Sequence, residues 1–392
     1  MTAWTAAGAR IYHSPMSSPD RHRTLDACRA DALEAWSIPP EYYTDTMRHA
    51  EEDERIFRGG WVGVGRSDRF APGSVTSERI GSVSVLVSRT ETGALSAMAN
   101  ACRHRGAELL SGTEECARFR CPFHAWTYDL EGRLVGAPQM HRTVDFDREE
   151  HGLHRFSIDE RFGFVFVSLA SNPPPIDEWL SGFPQIHTPW PVADLVTTRR
   201  REFTVDCNWK AFAEVFNEYY HLPYVHPGSI DDSYEEPDEP EAVAGAFATQ
   251  FGVTTGTAGL LDTHRGDALP LMPDLVGREA EGVRYTWLFP NIVVALGVEC
   301  MWMYEVYPDG PDRCRCAQVV AFPPETIAHP DFAAKVASYY ERFDVAIGED
   351  IPVLEAQQRG LTSPFATAGR FSHLEPSVAR FAHWYADRML GD

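Results

Sequence analysis

"CRHRGAELLSG" spans Cys102–Gly112 and "CPFHAWTYDLEG" spans Cys121–Gly132. Each stretch opens with a cysteine followed closely by a histidine: one residue intervenes in the first lobe, two in the second, and 16 residues separate His104 from Cys121. Two thiolates and two imidazoles could hold one zinc ion, although zinc modules usually group cysteine with cysteine and histidine with histidine. One of each per lobe suits a two-iron cluster that the lobes grip from both sides. One iron then takes the thiolates and the other the imidazoles. Neutral imidazole in place of anionic thiolate lowers the negative charge on the cluster and makes its reduced state easier to reach. Gly106 and Pro122 supply the turn residues that such lobes need.

The rest of the chain is read outward from these lobes. At 392 residues it is long enough for two domains, and 44% hydrophobic with 12% aromatic residues describes a globular protein. Acids outnumber bases 57 to 35, a net charge of −22. That balance argues against nucleic acid and anionic membrane surfaces as partners, because both need clustered Lys and Arg. No apolar run reaches 18 residues, and "MTAWTAAGARIYHSPMSSPDRHR" contains no signal-peptide core. The expectation is a cytoplasmic protein whose first 23 residues form a loosely ordered leader. The eight cysteines are then reduced thiols rather than disulfides. Cys314 and Cys316 would share one face of a strand, a spacing suggestive of metal, but no histidine or further cysteine stands near them in sequence.

From Trp61 to Asn100 short alternating or β-branched runs are punctuated by glycine, and "RFGFVFVSLA" adds another strand over 162–170. "SNPPPIDEWL" breaks the pattern and marks a domain boundary. Beyond it, "REFTVDC" reads as a strand and "NWKAFAEVFNEYYH" as a helix running to His221. The stretch 283–322 reads as two or three long antiparallel strands, and the end from about Pro330 as helices. The expected class is α+β: residues 1–40 a leader and N-terminal helix, 41–172 an all-β domain, and 173–392 a domain with a central antiparallel sheet flanked by helices.

"CRHRGAELLSG…CPFHAWTYDLEGRL" resembles the Rieske [2Fe–2S] motif of the Rieske non-haem iron oxygenases, a resemblance extending from about Tyr42 to Gly360. It implies that Cys102 and Cys121 hold one iron of the cluster and that His104 and His124 hold the other. A Rieske cluster alone would serve equally well in an electron carrier, so the second half of the chain is decisive. There His221 and His226 have four residues between them, and Pro223 interrupts a helix just after His221, letting the chain swing His226 back toward the same centre. Two histidines and a carboxylate form a facial triad that leaves open positions on Fe(II) for dioxygen. "FDVAIGEDIPVLEAQQRGL" resembles the family's C-terminal segment carrying the third ligand, which implies Asp350, with Glu349 its rival and Pro352 a source of helix kinking.

Glu218, three residues before His221, would share a helix face with it. Most of the family has aspartate there. The resemblance implies that this carboxylate, with Asn217 beside it in the catalytic set, links the iron-binding histidine to His124 of the partner subunit in a homotrimer. Glutamate in that position resembles the branch acting on quaternary ammonium compounds such as carnitine, choline and betaines. The sequence departs from that branch's Glu-Cys-Tyr-His-Cys, having Glu218-Tyr219-Tyr220-His221-Leu222 instead. Tyr220, Tyr224, Trp287 and Trp302 are the expected pocket aromatics, suited to a cation without N–H groups or simply to a core. The implied function is the terminal oxygenase of a multicomponent system. It would use dioxygen and electrons from a separate NAD(P)H reductase, since no GxGxxG signature is present. Mono-oxygenation of a small quaternary ammonium compound is expected first, ring hydroxylation of an aromatic acid second, and electron carriage without oxygenase activity last.

Overall fold

The computed structural model describes residues 24–391, apart from the side chain of Asp232, so the expected leader to Arg23 lies outside them. Among these residues, no helix is long and apolar enough to cross a membrane. A seven-stranded antiparallel sheet runs, in spatial order, Trp61–Arg66, Phe164–Ser168, Arg155–Arg161, Leu95–Ala99, Val83–Arg89, Ser74–Ile80 and Thr113–Glu115. A three-stranded meander, Arg118–Arg120, Thr127–Asp129 and Leu134–Gly136, stands beside it. The expected single strand over 162–170 is the second arm of a hairpin. Phe162 and Gly163 turn the chain at φ of 53° and 73°, and the strand begins at Phe164.

The second sheet has six antiparallel strands ordered Val196–Val205, Cys314–Phe322, Met301–Pro308, Ile292–Leu296, Gly282–Leu288 and Phe247–Val253. The region 283–322 thus holds four strands rather than two or three, because turns after Leu288 and Leu296 cut the apolar run into short hairpin arms. Pairing of the strand Cys314–Phe322 with Val196–Val205 also brings Cys207 to 3.9 Å from Cys314, itself 3.6 Å from Cys316. The three thiols are buried, no histidine or carboxylate among the described residues converges on them, and burial pushes the Cys316 thiol up, away from the thiolate that binds metal.

The sheets meet at Gly63. Its N–H donates to Asn291 Oδ1 at 3.0 Å, and its carbonyl accepts from Asn291 Nδ2 at 2.9 Å and Tyr307 OH at 3.0 Å. A Cβ there would stand 2.4 Å from Ile292 Cγ1, so only glycine permits this approach.

Residues 41–57, grouped by sequence with the β domain, touch both halves: Asp53 accepts from Ser82 N–H at 2.8 Å and Ser82 Oγ at 2.6 Å on the β-domain side, and Glu52 reaches the C-terminal half. Glu52 is buried beneath them with Lys210, and its carboxylate also accepts from Trp209 Nε1 at 3.0 Å and from Tyr385 OH at 2.5 Å. Lys210 donates in addition to the Tyr42 carbonyl at 2.7 Å. Burial pulls the Lys210 ammonium below its usual pKa, against the opposing pull of Glu52. The pair therefore clamps the segment onto the helices Trp209–Val215 and Pro376–Leu390. Glu52→Ala would leave the ammonium buried and unpaired, and should lower stability by about 3–5 kcal/mol, measured as a shift in the chemical denaturation midpoint.

Candidate metal centres and substrate cavity

The first lobe leaves the strand Leu95–Ala99 and the second caps the hairpin of Arg118–Arg120 and Thr127–Asp129. Both are the same loop. Cys102 N–H donates to the Ala107 carbonyl and Gly106 N–H to the Cys102 carbonyl, each at 2.8 Å; Cys121 N–H donates to Trp126 at 2.8 Å and Ala125 N–H to Cys121 at 3.1 Å. This loop needs a left-handed residue four positions after the cysteine, supplied by Gly106 (φ 72°) and by Ala125 (φ 55°). Both cysteines are buried, and Arg103 N–H and the Cys102 thiol contact Tyr128 OH at 3.1 and 3.4 Å. The rings of His104 and His124 lie 4.6 Å apart, with His104 stacked on Trp126 at 4.9 Å. Desolvation, with His124 and Arg105 nearby, lowers the His104 pKa and favours the neutral, metal-binding imidazole.

These residues fit a cluster better than a single ion. The Nδ1 atoms of His104 and His124 are buried and make no hydrogen bond. A lone zinc would require all four donors to converge on one point. Among the described residues, the only set of three or more whose ligand atoms lie within 4.8 Å of one another is His221, His226 and Asp350.

That second set depends on a helix ending early. The helix Trp209–Val215 begins at Asn208, whose side chain accepts from Lys210 N–H, and stops well short of His221. Asn217 is the reason: its Nδ2 donates to the Ala213 carbonyl at 2.7 Å, taking the acceptor that its own backbone N–H would use in a continuing helix, and that N–H turns to Glu214 instead. Asn217 does not line the cavity, so its place is at the helix end rather than among reacting groups. Glu218 and His221 therefore sit in a turn and not on a helix face. Glu218 Oε2 accepts from the backbone N–H of Tyr220 and, at 3.1 Å, of His221, while Oε1 lies 2.5 Å from His221 Nδ1. Pro223 starts a helix rather than breaking one, standing in the first turn of Leu222–Val225, with His221 the residue before it and His226 the residue after.

Asp350 enters from the 30-residue helix Phe332–Leu361, which contains Pro352. Its Oδ1 lies 3.1 Å from His226 Nε2 and 3.7 Å from His221 Nε2, buried and without a hydrogen bond. Glu349 has a different place: Oε2 is 2.8 Å from His226 Nδ1 and accepts from Ser229 Oγ at 2.8 Å. Burial lowers the His226 pKa, but Asp350 and Glu349 outweigh it and hold the ring above its usual value, a protonation that a bound cation would displace. Both imidazoles thus turn Nδ1 to a carboxylate and Nε2 toward Asp350, the arrangement of oriented metal ligands. The donors fit a mononuclear iron.

Above them lies a cavity of about 40 Å³, on a scale where one water needs about 10–15 Å³. Phe216, Tyr219, Tyr285, Trp302 and Tyr304 wall it, with Arg342 and Ala346 from the long helix. Of the expected aromatics only Trp302 is there. Trp287 is in the core, stacked on Phe381 at 3.9 Å, because the helix Pro376–Leu390 covers that part of the strand. Tyr220 and Tyr224 are 50% and 74% exposed, since the short turn and helix direct them outward. Tyr285 and Tyr304 were recognisable from strand alternation with Trp287 and Trp302; Arg342 gave no signal.

The sequence matches the Rieske [2Fe-2S] domain over residues 60–153 and the ring hydroxylating alpha subunit (catalytic domain) over residues 192–391. The chain belongs to the ring-hydroxylating alpha-subunit family. It is an oxidoreductase of the Rieske oxygenase type, whose cofactors are a [2Fe–2S] cluster and a mononuclear non-haem iron, with dioxygen as oxidant. The glycine betaine monooxygenase oxygenase subunit of Chromohalobacter salexigens is 28% identical, covering 90% of this chain and 86% of its own. The chloroplastic choline monooxygenase of Arabidopsis thaliana is also 28% identical, with 89% and 82% covered. The solved quaternary ammonium Rieske monooxygenase CntA shares the fold, with a TM-score of 0.78 at 24% identity over 93% of this chain and 98% of that one.

If Asp350 ligates and Glu349 orients, Asp350→Ala should lose the mononuclear iron while the cluster absorbance persists. Glu349→Gln should retain the iron with affinity weakened about 10–100-fold. Metal analysis beside the visible spectrum checks both, and the reverse pattern would make Glu349 the ligand.

Proposed function

We propose that this chain is the terminal oxygenase of a multicomponent system that mono-oxygenates a small quaternary ammonium compound. On this reading Cys102, Cys121, His104 and His124 hold the Rieske cluster, and His221, His226 and Asp350 hold the catalytic iron. The division into a Rieske domain to about residue 172 and a catalytic domain beyond it follows, with the segment 41–57 as a strap bonded to both. The carrying observation is the aromatic box directly above the three converging donors. Ring faces bind a cation that has no N–H to donate. The names of the two 28% relatives, glycine betaine and choline monooxygenase, point to the same substrate chemistry.

When bound, the iron supplies reductive activation of dioxygen, one oxygen atom entering a substrate C–H bond and the other leaving as water with two electrons and two protons. The protein's residues do the remaining work. The box directs the methyl groups of the ammonium toward the donors. Hydroxylation of an N-methyl group gives a carbinol that releases formaldehyde, a proton and the tertiary amine. Electrons come from a separate NAD(P)H-dependent reductase in this proposal.

The same reading makes the protein a homotrimer, with Glu218 as the link between subunits. The Rieske lobes support it: their tips are exposed, and Phe123, 54% exposed with Arg105 4.8 Å over its ring, forms an apolar point beside His124 suited to docking. His124 of the partner subunit would share Glu218 with the backbone amides of Tyr220 and His221.

Reconstituted enzyme and reductase should consume oxygen and release formaldehyde with N-trimethylated compounds. Oxygen uptake driven only by an aromatic acid, with a hydroxylated ring as product, would replace this reading with the second one. Glu218→Gln should keep the cluster irons, the mononuclear iron and the trimer, and its cluster should still accept electrons. Reoxidation of the reduced cluster with substrate and oxygen should slow by orders of magnitude in single turnover. Normal reoxidation would route the electron through another residue.

A further inference from the structure

Arg342 is 4% exposed and lines the same cavity as the converging donors. It stands on the long helix eight residues before Asp350, with Ala346 midway, so the three share one stripe and Arg342 lies about 12 Å up the axis. A guanidinium has five N–H donors and stays charged. Here a single hydrogen bond is made, from Nη2 to Tyr234 OH at 2.8 Å, and Nε is buried without a partner. Trp302 and Phe343 rings lie 5.2 and 5.3 Å from its central carbon.

The other buried bases among the described residues are provided for. Lys210 has Glu52, Arg284 has Glu241 at 2.6 Å, and Arg66 donates to the carbonyls of Val192 and Leu195 at 2.9 and 2.7 Å. Arg342 has no carboxylate and no carbonyl. Ring faces compensate only part of the cost of burying a cation. Asp350 and Glu349 are committed to the histidines at the far end of the stripe. The missing anion must therefore enter with what fills the cavity, and a forked guanidinium matches a carboxylate in two parallel hydrogen bonds.

We propose that Arg342 is the carboxylate anchor of the substrate cavity, so that the substrate is a zwitterion: a quaternary ammonium group in the aromatic box and a carboxylate on Arg342. This rests on the quaternary ammonium reading and narrows it. A substrate that is a bare cation would bring a second positive charge into a small cavity that already holds Arg342, and like charges there repel strongly. Tyr234 OH, which accepts from Arg342, lies 2.7 Å from the hydroxyl of the cavity-lining Tyr285 and so holds the guanidinium against that wall.

The test uses the loaded enzyme with its reductase and two probes with the same head group, trimethylglycine and choline, which differ in a carboxylate against a hydroxymethyl. The wild type should prefer trimethylglycine about 100-fold in kcat/KM. Arg342→Gln should raise KM for trimethylglycine about 100-fold with kcat within a few-fold, while kcat/KM for choline rises. Arg342→Lys, which keeps the charge and loses the fork, should fall between. The wild-type comparison needs no variant, so a misfolded Gln variant does not shelter the proposal. Equal wild-type use of both probes, or equal weakening of both in Arg342→Gln, would overturn the anchor and leave the quaternary ammonium reading standing. If neither probe drives oxygen uptake, that reading falls, and binding of benzoate against benzyl alcohol decides the anchor separately: benzoate binding lost in Arg342→Gln supports it, and binding that ignores the carboxylate overturns it.

Discussion

Two carboxylates, Glu218 on His221 Nδ1 and Glu349 on His226 Nδ1, fix which nitrogen of each ring faces Asp350, and the catalytic half of the molecule is arranged around that requirement. A free imidazole presents either nitrogen with little preference, whereas a metal site needs one lone pair aimed from each ring. Meeting the requirement at His221 takes a turn, because Glu218 must reach both the ring and the backbone amides that follow it. Meeting it at His226 takes the long helix, because Glu349 and Asp350 are neighbours in sequence that point about 100° apart around the axis. One faces the outer nitrogen of His226 and the other the inner side of the pair. The helix end set by Asn217 and the helix start at Pro223 are the local devices that make the turn between them.

What could be read from the sequence follows the range of the interactions involved. The Rieske lobes are legible because each is a short loop whose cysteine, histidine and left-handed residue lie within five positions. His221 and His226 are near enough in sequence to be seen as a pair. Asp350 is more than 120 residues from them, and only a resemblance joined it to the set. The helix ends at Val215 rather than His221 although its apolar spacing continues to Tyr219. What ends it is the Asn217 side chain competing for one carbonyl, an interaction invisible to periodicity. Among the expected pocket aromatics Trp302 reaches the cavity, whereas the place of Trp287 is set by a distant element. Strand alternation puts Tyr285 and Trp287 on one face, but the helix Pro376–Leu390 covers Trp287 and leaves Tyr285 facing the cavity. Arg342 sits on a helix that reads as charged and solvated, and its burial is created by tyrosines from other strands and turns.

The clamp of Glu52 on Lys210 shows a similar economy of position. Trp209 and Lys210 open the helix that leads into the Glu218 turn, and Tyr385 comes from the C-terminal helix that covers Trp287. The segment 41–57 thus braces the start of the very helix whose end places the iron-binding turn. Asp53 of the same segment holds Ser82 beside the strand Val83–Arg89, so one short stretch ties the Rieske sheet to the helix that leads into the iron-binding turn.

His221 and Glu218 also form a partition. On one side is the aromatic cavity; on the other a second cavity of about 400 Å³, lined by Tyr43, Glu214, Glu375 and Arg370 among others, touches the same two residues. In the proposed trimer, the second side is where an electron would arrive and the first is where substrate would sit. Separating the two routes by one imidazole and one carboxylate would let the electron cross through bonded atoms rather than through open space. It also keeps the acidic surroundings of Glu214 and Glu375 apart from the cavity that holds Arg342. The substrate side then has the Arg342 charge toward its far end, and on the proposed reading selectivity reduces to which molecule can answer that charge while placing its methyl groups at the iron.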